Sequence, residues 1–143
     1  DNTKIVPISE VILGPRKTIL KSNEIITDIV IPLTHFDKTS FVKVGGRKAD
    51  AISKVSFTGA VKIENDTVTD LRICFGAVGP TIVRNKEIEN KYKDITIEQL
   101  KGSIDQLIGE YSEIIKPIDD VRSNKEYRKK VALNLLQDFI QNL

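Results

Sequence analysis

Two alternating segments on either side of a two-residue turn constrain the fold of this chain most strongly. The segments SKVSFTGAVKIE (53–64) and TVTDLRICFGAV (67–78) flank an Asn-Asp dipeptide. Apolar and polar residues alternate in both segments, as is typical of half-buried β-strands. The pattern therefore predicts an antiparallel hairpin. Gly59 and Gly76 lie inside these strands and indicate a bulge or a close approach by another element.

Two further strands are predicted ahead of the hairpin. In EIITDIVIPL (24–33), β-branched residues recur with a period of two. Pro32 is expected to end that strand, because proline has no backbone N–H to donate to a ladder. The short segment SFVKV (40–44) has the same strand character. Together with the hairpin, these segments predict a small antiparallel sheet of three to four strands.

The second half of the chain has helical periodicity. A short helix is predicted over about 85–92, and TIEQ has the capping-box form that begins a helix over about 97–114. SNKE (123–126) repeats that form ahead of an apolar stripe that continues to Leu143. Strands followed by helices predict an α+β domain in which the sheet packs against about three helices.

Composition excludes several classes of protein. With 143 residues, 40% of them apolar and 29% charged, the chain is sized for a soluble domain with its own core. The 22 cationic and 20 anionic residues give a net charge of +2, which is too even to indicate nucleic acid as a partner. The apolar runs are too short for a transmembrane helix, so no membrane partner is predicted and a cytoplasmic location fits best.

The start of the chain resembles the middle of a protein. There is no methionine, and the first residue is Asp1. We therefore expect a fragment, a processed chain, or a domain excised from a longer protein.

No catalytic or metal-binding residue is predicted. The single histidine, His35, lies in PLTHFDK, which is typical of a surface turn. Cys74 is the only cysteine, and its strand position favours a small buried apolar side chain. Asp119 and Asp120 are adjacent carboxylates of the kind that form caps and turns. The basic segment KEYRKK (125–130) is interpreted as a solvated helix face or as cations paired with nearby acids.

One loop has a composition that fits a ligand site. In FVKVGGRKADAISKV, the pair Gly45-Gly46 interrupts two strand-like stretches, and Lys43, Arg47 and Lys48 surround it. Glycines that adopt positive φ can expose backbone N–H groups to an anion. The same composition is also that of an ordinary turn, and neither dinucleotide-fingerprint nor P-loop spacing is present.

Five segments in one order resemble a known family. They are GPRKTIL, NEIITDIVIP, FVKVGGRKADAISKV, LRICFGAVGPTIVR and PIDDVRSNKEYRKKVALNLL. They are similar to the C-terminal domain of the FAD-binding (medium) subunit of molybdenum hydroxylases, which include xanthine dehydrogenase, aerobic carbon monoxide dehydrogenase and nicotinate dehydrogenase. The resemblance implies the same α+β fold. It assigns 1–33 to the end of a preceding FAD-binding region with a linking strand, and 34–143 to the C-terminal domain.

The resemblance also implies cofactors and partners. FAD would be shared with an N-terminal FAD-binding region, whose Gly-rich loops would hold the diphosphate and adenine ahead of Asp1. Molybdopterin and [2Fe–2S] clusters would belong only to partner subunits, and the flavin would pass electrons to NAD or another acceptor. The isolated chain is accordingly expected to be non-catalytic and to bind FAD weakly or not at all.

Four residues match flavin-proximal positions of that family. Ile26 matches an aliphatic residue that packs on the isoalloxazine ring, and Lys43 matches a lysine that lies against the flavin. Arg47 and Asp50 match an Arg and an Asp in a mobile loop beside the ring, although an ion pair within the loop explains them equally well. The Gly pair departs from the bulkier residues of relatives.

Two other functions remain open from the residues alone. The chain could be a scaffold or assembly module without flavin, in which VGGRKAD is a plain hairpin. It could also be a small anion- or nucleotide-binding protein that uses the Gly-Gly loop.

Overall fold

The chain divides into two compact units. In the computed structural model, which describes residues 3–143, the first unit comprises Asp1–Thr34 and the second comprises His35–Leu143. The first unit contains a short helix and a small two-stranded sheet, whereas the second carries a three-stranded sheet and four helices. Three of the four candidate site residues, Lys43, Arg47 and Asp50, therefore lie in the second unit.

The first unit has little regular structure. Helix α1 (Ile8–Val11) leads directly into strand β1 (Ile12–Gly14), which pairs antiparallel with strand β2 (Lys17–Thr18). Arg16 has a φ of 58° in the connecting turn, a left-handed conformation that lets the chain reverse within a few residues.

The strand predicted over 24–33 is wrong. No residue of that segment pairs in a ladder with another described residue. Its side chains are open to solvent, with Ile25 and Ile29 exposed to 81% and 82%. An alternating pattern defines two faces, but a strand also needs a neighbour that completes its backbone hydrogen bonds. Because residues 3–143 supply no such neighbour, the segment lacks strand structure despite its pattern.

The predicted sheet of the second unit is confirmed. Strands β3 (Lys38–Val44), β4 (Val55–Glu64) and β5 (Thr67–Gly76) form an antiparallel sheet in the order β3-β4-β5. Asn65 and Asp66 have φ values of 50° and 64°, as a two-residue turn of the hairpin type requires. Asn and Asp tolerate this left-handed conformation better than most residues, which explains their place between the strands.

Four helices follow the sheet along the chain. They are α2 (Lys86–Lys91), α3 (Ile97–Gly102), α4 (Ile104–Ile114) and α5 (Lys125–Gln141). The single helix predicted over 97–114 is therefore wrong in one respect, because it is interrupted at Ser103. The amide of Ser103 donates to the carbonyls of Gln99 and Leu100, at 3.0 and 3.1 Å, and its hydroxyl donates to Gln99 as well. These bonds tighten the last turn of α3 and end the regular helical ladder there.

Of the two predicted capping boxes, one is confirmed and one is wrong. Thr96 and Gln99 form a reciprocal capping box, in which each side chain accepts from the other residue's amide, at 3.2 and 2.9 Å. The box predicted at SNKE is wrong, because Asn124 is the cap of α5 and accepts from the amide of Tyr127 at 2.8 Å. Ser123 lies one residue too early, and its own amide is used by the preceding turn.

The helices cover one face of the sheet. Phe139 of α5 packs directly over Gly59 of β4, and its ring centroid lies 5.6 Å from that of Phe57. Tyr111 of α4 packs in the same way against Phe75 of β5, with ring centroids 5.4 Å apart. The predicted α+β architecture is confirmed, and so is the close approach predicted at Gly59.

Adding a methyl group at Gly59 is expected to destabilise the second unit. A Cβ at this position would lie 2.7–2.8 Å from three atoms of the Phe139 ring, so the ring or the strand must shift. We expect Gly59→Ala to lower the free energy of unfolding by about 1–3 kcal/mol, measured by urea unfolding. Gly109→Ala is the control, because nothing lies within 4 Å of its Cβ position in α4. That change should be neutral or stabilising, and equal losses in both variants would contradict this account.

A buried carboxylate closes the outer edge of β5. Glu89 of α2 is only 2% exposed, and its Oε1 accepts from the amide of Ile73 at 2.8 Å. Arg84 donates to both carboxylate oxygens of Glu89, at 2.9 and 2.8 Å. Further along the same edge, Phe75 and Val83 exchange backbone hydrogen bonds of 2.9 Å. Edge-strand groups that would otherwise be open for pairing are thereby satisfied.

The basic segment at the start of α5 is not uniformly solvated. Arg128 is buried, and its Nη1 donates to the carbonyl of Ala77 at 3.0 Å. Its Nη2 lies 2.6 Å from Asp120 Oδ1 in an ion pair that is not aligned for a hydrogen bond. For Arg128 the solvated-face alternative is therefore wrong, and the alternative of a cation paired with a nearby acid is correct. Asp119 and Asp120 are confirmed as cap and turn formers, because they accept from backbone amides of the same region.

Candidate functional site

The sheet face opposite the helices carries Lys43. Along β3, Ser40, Val42 and Val44 are the less exposed positions, while Phe41 and Lys43 are exposed. The alternation follows from the pleat of the strand, which sends successive side chains to opposite faces. Phe41 is 71% exposed, so an aromatic surface and a cation stand side by side on one edge strand.

The row across the sheet at Lys43 consists of small residues. Lys43 pairs with Ser56 on β4, and Ser56 pairs with Gly76 on β5. A Cβ at Gly76 would overlap the hydroxyl of Ser56, so a larger residue there would require that side chain to rotate away. Gly76 is itself buried, and Ile82 Cδ1 lies 3.5 Å from its Cβ position, so the row is open only at its β3 end, where Lys43 is exposed.

The loop after β3 is closed by its own backbone and side chains. The amide of Lys54 donates to the carbonyl of Val44 at 2.7 Å, which joins the two ends of the loop. Arg47 Nη2 donates to the carbonyl of Asp50 at 2.6 Å, and Asp50 has a φ of 48°. The predicted alternative, an ion pair between Arg47 and Asp50, is correct in that the two residues are in contact. It is wrong in its chemistry, because the acceptor is the backbone oxygen of Asp50 rather than its carboxylate.

The Gly-Gly pair is not a left-handed anion nest. Among residues 3–143, no glycine has a positive φ, so neither Gly45 nor Gly46 uses that freedom. A Cβ at Gly45 would lie 3.1 Å from the Cβ of Ala51, whereas nothing lies within 4 Å at Gly46. The glycine at position 45 therefore permits a close approach within the loop.

A basic groove opens beside this loop. It has a volume of about 480 Å³, and the residues that define it here are Gly46, Arg47, Asp50, Ile52, Lys54 and Arg122. Lys54 Nζ lies 5.6 Å from the centroid of the Tyr127 ring, which holds the lysine by a cation–π contact. Arg122 comes from the segment between α4 and α5, so the groove joins two distant parts of the sequence.

The predicted site residues are only partly brought together. Arg47 and Asp50 are in contact, and Lys43 lies on the strand that leads into their loop. Ile26 belongs to the first unit and is 57% exposed, so its assignment to a flavin site stays a prediction. Sequence reasoning missed Lys54 and Arg122 as neighbours of the loop. The sequence offered one signal, which is that the cations Lys116, Arg122 and Lys125 lie within ten residues of one another.

His35 and Cys74 are the other side chains that the sequence offers for reactive chemistry. His35 is 84% exposed at its side chain, as predicted. Cys74 is half-buried rather than fully buried, and desolvation raises the pKa of its thiol, which opposes thiolate chemistry. No group of three or more His, Cys, Asp or Glu side chains among residues 3–143 could hold a metal ion. In the same described range, no helix combines the length and apolarity needed to cross a bilayer.

Comparison with protein families gives a match over most of the chain. Residues 40–143 match the model of the CO dehydrogenase flavoprotein C-terminal domain. That range begins within β3 and continues through the basic groove to the end of α5.

Individual relatives agree with that match. The chain is 28% identical over 121 residues to the glyceraldehyde dehydrogenase medium chain of Sulfolobus acidocaldarius, covering 83% of this chain and 41% of that protein. It is 25% identical over 139 residues to the xanthine dehydrogenase FAD-binding subunit of Escherichia coli O157:H7, covering 94% and 44%. Its fold is similar to the crystal structure of quinoline 2-oxidoreductase from Pseudomonas putida 86, with a TM-score of 0.74 and 18% identity over 94% of this chain and 46% of that one. The chain thus spans less than half the length of these relatives.

Proposed function

The chain belongs to the family of CO dehydrogenase flavoprotein C-terminal domains, found in the FAD-binding subunits of molybdenum hydroxylases, and from this we propose that it helps cover the flavin ring of such a subunit. FAD, when bound, would take electrons from [2Fe–2S] clusters and pass them to NAD or another acceptor. The clusters and molybdopterin would be carried by partner subunits, and the rest of FAD by an N-terminal FAD-binding region. The assembled enzyme would be a cytoplasmic oxidoreductase.

The observation that carries the proposal is the open sheet face at Lys43. A flat aromatic group with a polar edge needs an uncrowded surface, an apolar neighbour and a charge partner. The β3 end of the row, at exposed Lys43 and half-buried Ser56, offers the accessible surface, and exposed Phe41 offers the apolar neighbour. The residues present therefore fit an isoalloxazine ring.

Each of these residues would have a limited role. Lys43 would hold a fixed positive charge beside the ring, which stabilises negative charge there when electrons arrive. Arg47 and Asp50 would keep the adjacent loop in one shape through their 2.6 Å contact, and the loop would limit water and acceptor access. Ile26 would pack on the ring as the family resemblance implies.

Replacing Lys43 by alanine tests the proposed site. In the full-length subunit, we expect Lys43→Ala to weaken FAD binding about three- to tenfold, the scale of one partly exposed charge-assisted contact. The flavin reduction potential should also become more negative, because reduction adds negative charge that the lysine no longer stabilises. Flavin absorbance per protein and a redox titration measure the two effects.

The control for this change lies on the same strand. Lys38 is exposed at the other end of β3, about 20 Å from the loop at an ordinary strand rise. Lys38→Ala should leave flavin content and potential unchanged. Unchanged values in the Lys43→Ala subunit would remove Lys43 from the site. A full-length subunit that carries no flavin at all would instead favour the scaffold or assembly role.

A further inference from the structure

We propose that a polar cleft at the outer edge of β5 binds a phosphoryl group, with Arg72, Arg84 and Lys86 as its cationic ligands. The cleft has a volume of about 280 Å³ and lies at the opposite edge of the sheet from β3. The inference therefore does not rest on the flavin assignment at Lys43. The charged residues that line the cleft are Asp70, Arg72, Arg84, Lys86, Glu89 and Lys93.

Strand and helix geometry bring these charges to one place. Asp70 and Arg72 are two residues apart on β5 and therefore project from the same face of the strand. Lys86 and Glu89 are about one turn apart in α2, so they share a side of that helix. The hydrogen bond from the amide of Ile73 to Glu89 holds α2 against β5, which places both groups of charges around one cleft.

The charges that line the cleft favour a dianion. Four cations and two carboxylates leave an excess of +2, and a phosphoryl group carries a charge of about −1.5 to −2 at neutral pH. In both ion pairs the carboxylate is the more buried partner. The exposed fraction of the side chain is 2% for Glu89 against 32% for Arg84, and 23% for Asp70 against 40% for Arg72. A ligand that approaches from solvent therefore meets the cations first.

Both arginines retain donors for a ligand although each is already paired. Arg84 uses Nε and Nη2 to donate to Glu89, and Arg72 uses Nε and Nη2 to donate to Asp70. Within residues 3–143, neither Nη1 atom has a hydrogen-bond partner. A guanidinium has five N–H donors, so the outer fork of each arginine stays available. Such a fork matches the spacing of phosphate oxygens.

The two guanidinium groups are also held in position. Glu89 fixes Arg84, and the amide of Ile73 fixes Glu89 in turn at 2.8 Å. The Arg72 guanidinium carbon lies 4.7 Å from the centroid of the Phe36 ring, so a cation–π contact supports it in addition to Asp70. Preorganised cations bind an anion with a smaller loss of side-chain entropy than mobile surface lysines do.

The lining of the cleft favours a small hydrophilic ligand over an acidic segment of a partner protein. Its one apolar lining residue among those the structure describes is Leu71, which is fully buried. Protein interfaces depend on aromatic or aliphatic anchors that enter an apolar pocket, and this cleft offers no apolar wall for one. A compact anion needs only the donors and the charge.

The test uses the 143-residue chain and needs no flavin. At constant ionic strength, inorganic phosphate and glycerophosphate should each produce saturable shifts of the amide NMR signals of Arg72, Arg84 and Lys86. Acetate, with a single charge, should bind more weakly than either. The phosphate Kd should rise as salt is added, because the cations are partly exposed.

Two variants test the ligands, and a third is the control. Lys86→Gln should raise the phosphate Kd about three- to tenfold, as loss of one exposed charge-assisted contact predicts. Arg72→Lys keeps the charge but removes the planar fork, and it should raise the phosphate Kd by a similar factor. Lys91→Gln removes the same charge from the same helix, but Lys91 lies outside the cleft and pairs with Glu110 at 2.7 Å. It should leave the phosphate Kd unchanged.

The arms of this experiment separate the possible results. Tighter binding of glycerophosphate than of inorganic phosphate assigns the cleft to a phosphate ester, and equal or weaker binding assigns it to the free anion. Acetate binding as tightly as phosphate would overturn the proposal. So would an unchanged Kd in Lys86→Gln or Arg72→Lys, equal weakening by Lys91→Gln, or no saturable shift at the three amides. A triglutamate peptide that binds more tightly than both phosphates would also overturn it, and would assign the cleft to an acidic protein partner.

Discussion

Replacing Glu89 by alanine is expected to lower the free energy of unfolding by about 3 kcal/mol, as breaking a buried ion pair from one side does. Glu89 is 2% exposed and accepts from two different partners, the Arg84 guanidinium and the amide of Ile73. Without the carboxylate, the amide of Ile73 loses its acceptor in a place that water reaches poorly. The side chain of Arg84 is 32% exposed, so it can turn to solvent when its partner is removed. We therefore expect the loss of unfolding free energy not to exceed this value of about 3 kcal/mol.

A series at this position separates charge from shape. Glu89→Gln keeps one acceptor oxygen for the Ile73 amide but loses the charge, so we expect a smaller loss of about 1–2 kcal/mol. Glu87→Gln is the control, because Glu87 lies two residues earlier in the same helix and is exposed. That change should stay within about 0.5 kcal/mol. Urea unfolding of the three variants measures the order, and a loss no larger at Glu89 than at Glu87 would contradict the role of the buried pair.

The hairpin and the capping box could be predicted from sequence because their causes are local. Alternation in two adjacent segments and an Asn-Asp dipeptide fix β4, β5 and their turn without help from distant residues. Thr96 and Gln99 satisfy each other within one helical turn. The break at Ser103 was missed because the apolar stripe continues through it, and periodicity reports which face is buried rather than whether the ladder is continuous.

The segment 24–33 shows the opposite case. Its pattern is as regular as that of β4, yet it forms no strand because ladder partners are a property of the surrounding structure. The groove was missed for a similar reason. Arg122 is far from Arg47 in sequence, and only the packed chain brings both to one cavity. Lys43 could be placed on an exposed face from alternation alone, but its role beside a flavin came from family resemblance.

Replacing Arg128 by methionine is expected to destabilise the chain by about 1–3 kcal/mol at neutral pH, because the half-buried carbonyl of Ala77 loses its donor and the Asp120 carboxylate loses its cation. The side chain is 5% exposed, and its Nη1 is the hydrogen-bond partner of the Ala77 carbonyl. Ala77 has a φ of 63°, so this carbonyl belongs to a strained turn that the arginine fastens to α5. Methionine retains much of the apolar stem, which limits the cavity and isolates the loss of the polar contacts.

The effect of this change should depend on pH. The hydrogen bond from the amide of Arg122 and the positive charge of Arg128 lower the pKa of Asp120 from an ordinary value of 3.8 to about 2. A depressed pKa in the folded state stabilises the protein fully above the ordinary value, and this stabilisation is lost as pH falls through 2. Arg128→Met removes one cause of the depression. The difference in stability between the unmodified chain and the variant should therefore narrow as the pH is lowered from neutral toward 2.

Arg122→Met provides the matched comparison, since Arg122 pairs with the same carboxylate from an exposed position at 3.3 Å. An exposed pair contributes at most about 1 kcal/mol, so this variant should lose far less stability than Arg128→Met. Urea unfolding at neutral pH and at about pH 3 gives both comparisons. Adding Asp120→Asn to each variant completes a double-mutant cycle, in which coupling to Arg128 should exceed coupling to Arg122. Equal coupling energies of Asp120 to Arg128 and to Arg122 would mean that burial does not make the Arg128 ion pair the stronger one. So would a stability difference between the unmodified chain and Arg128→Met that stays constant with pH.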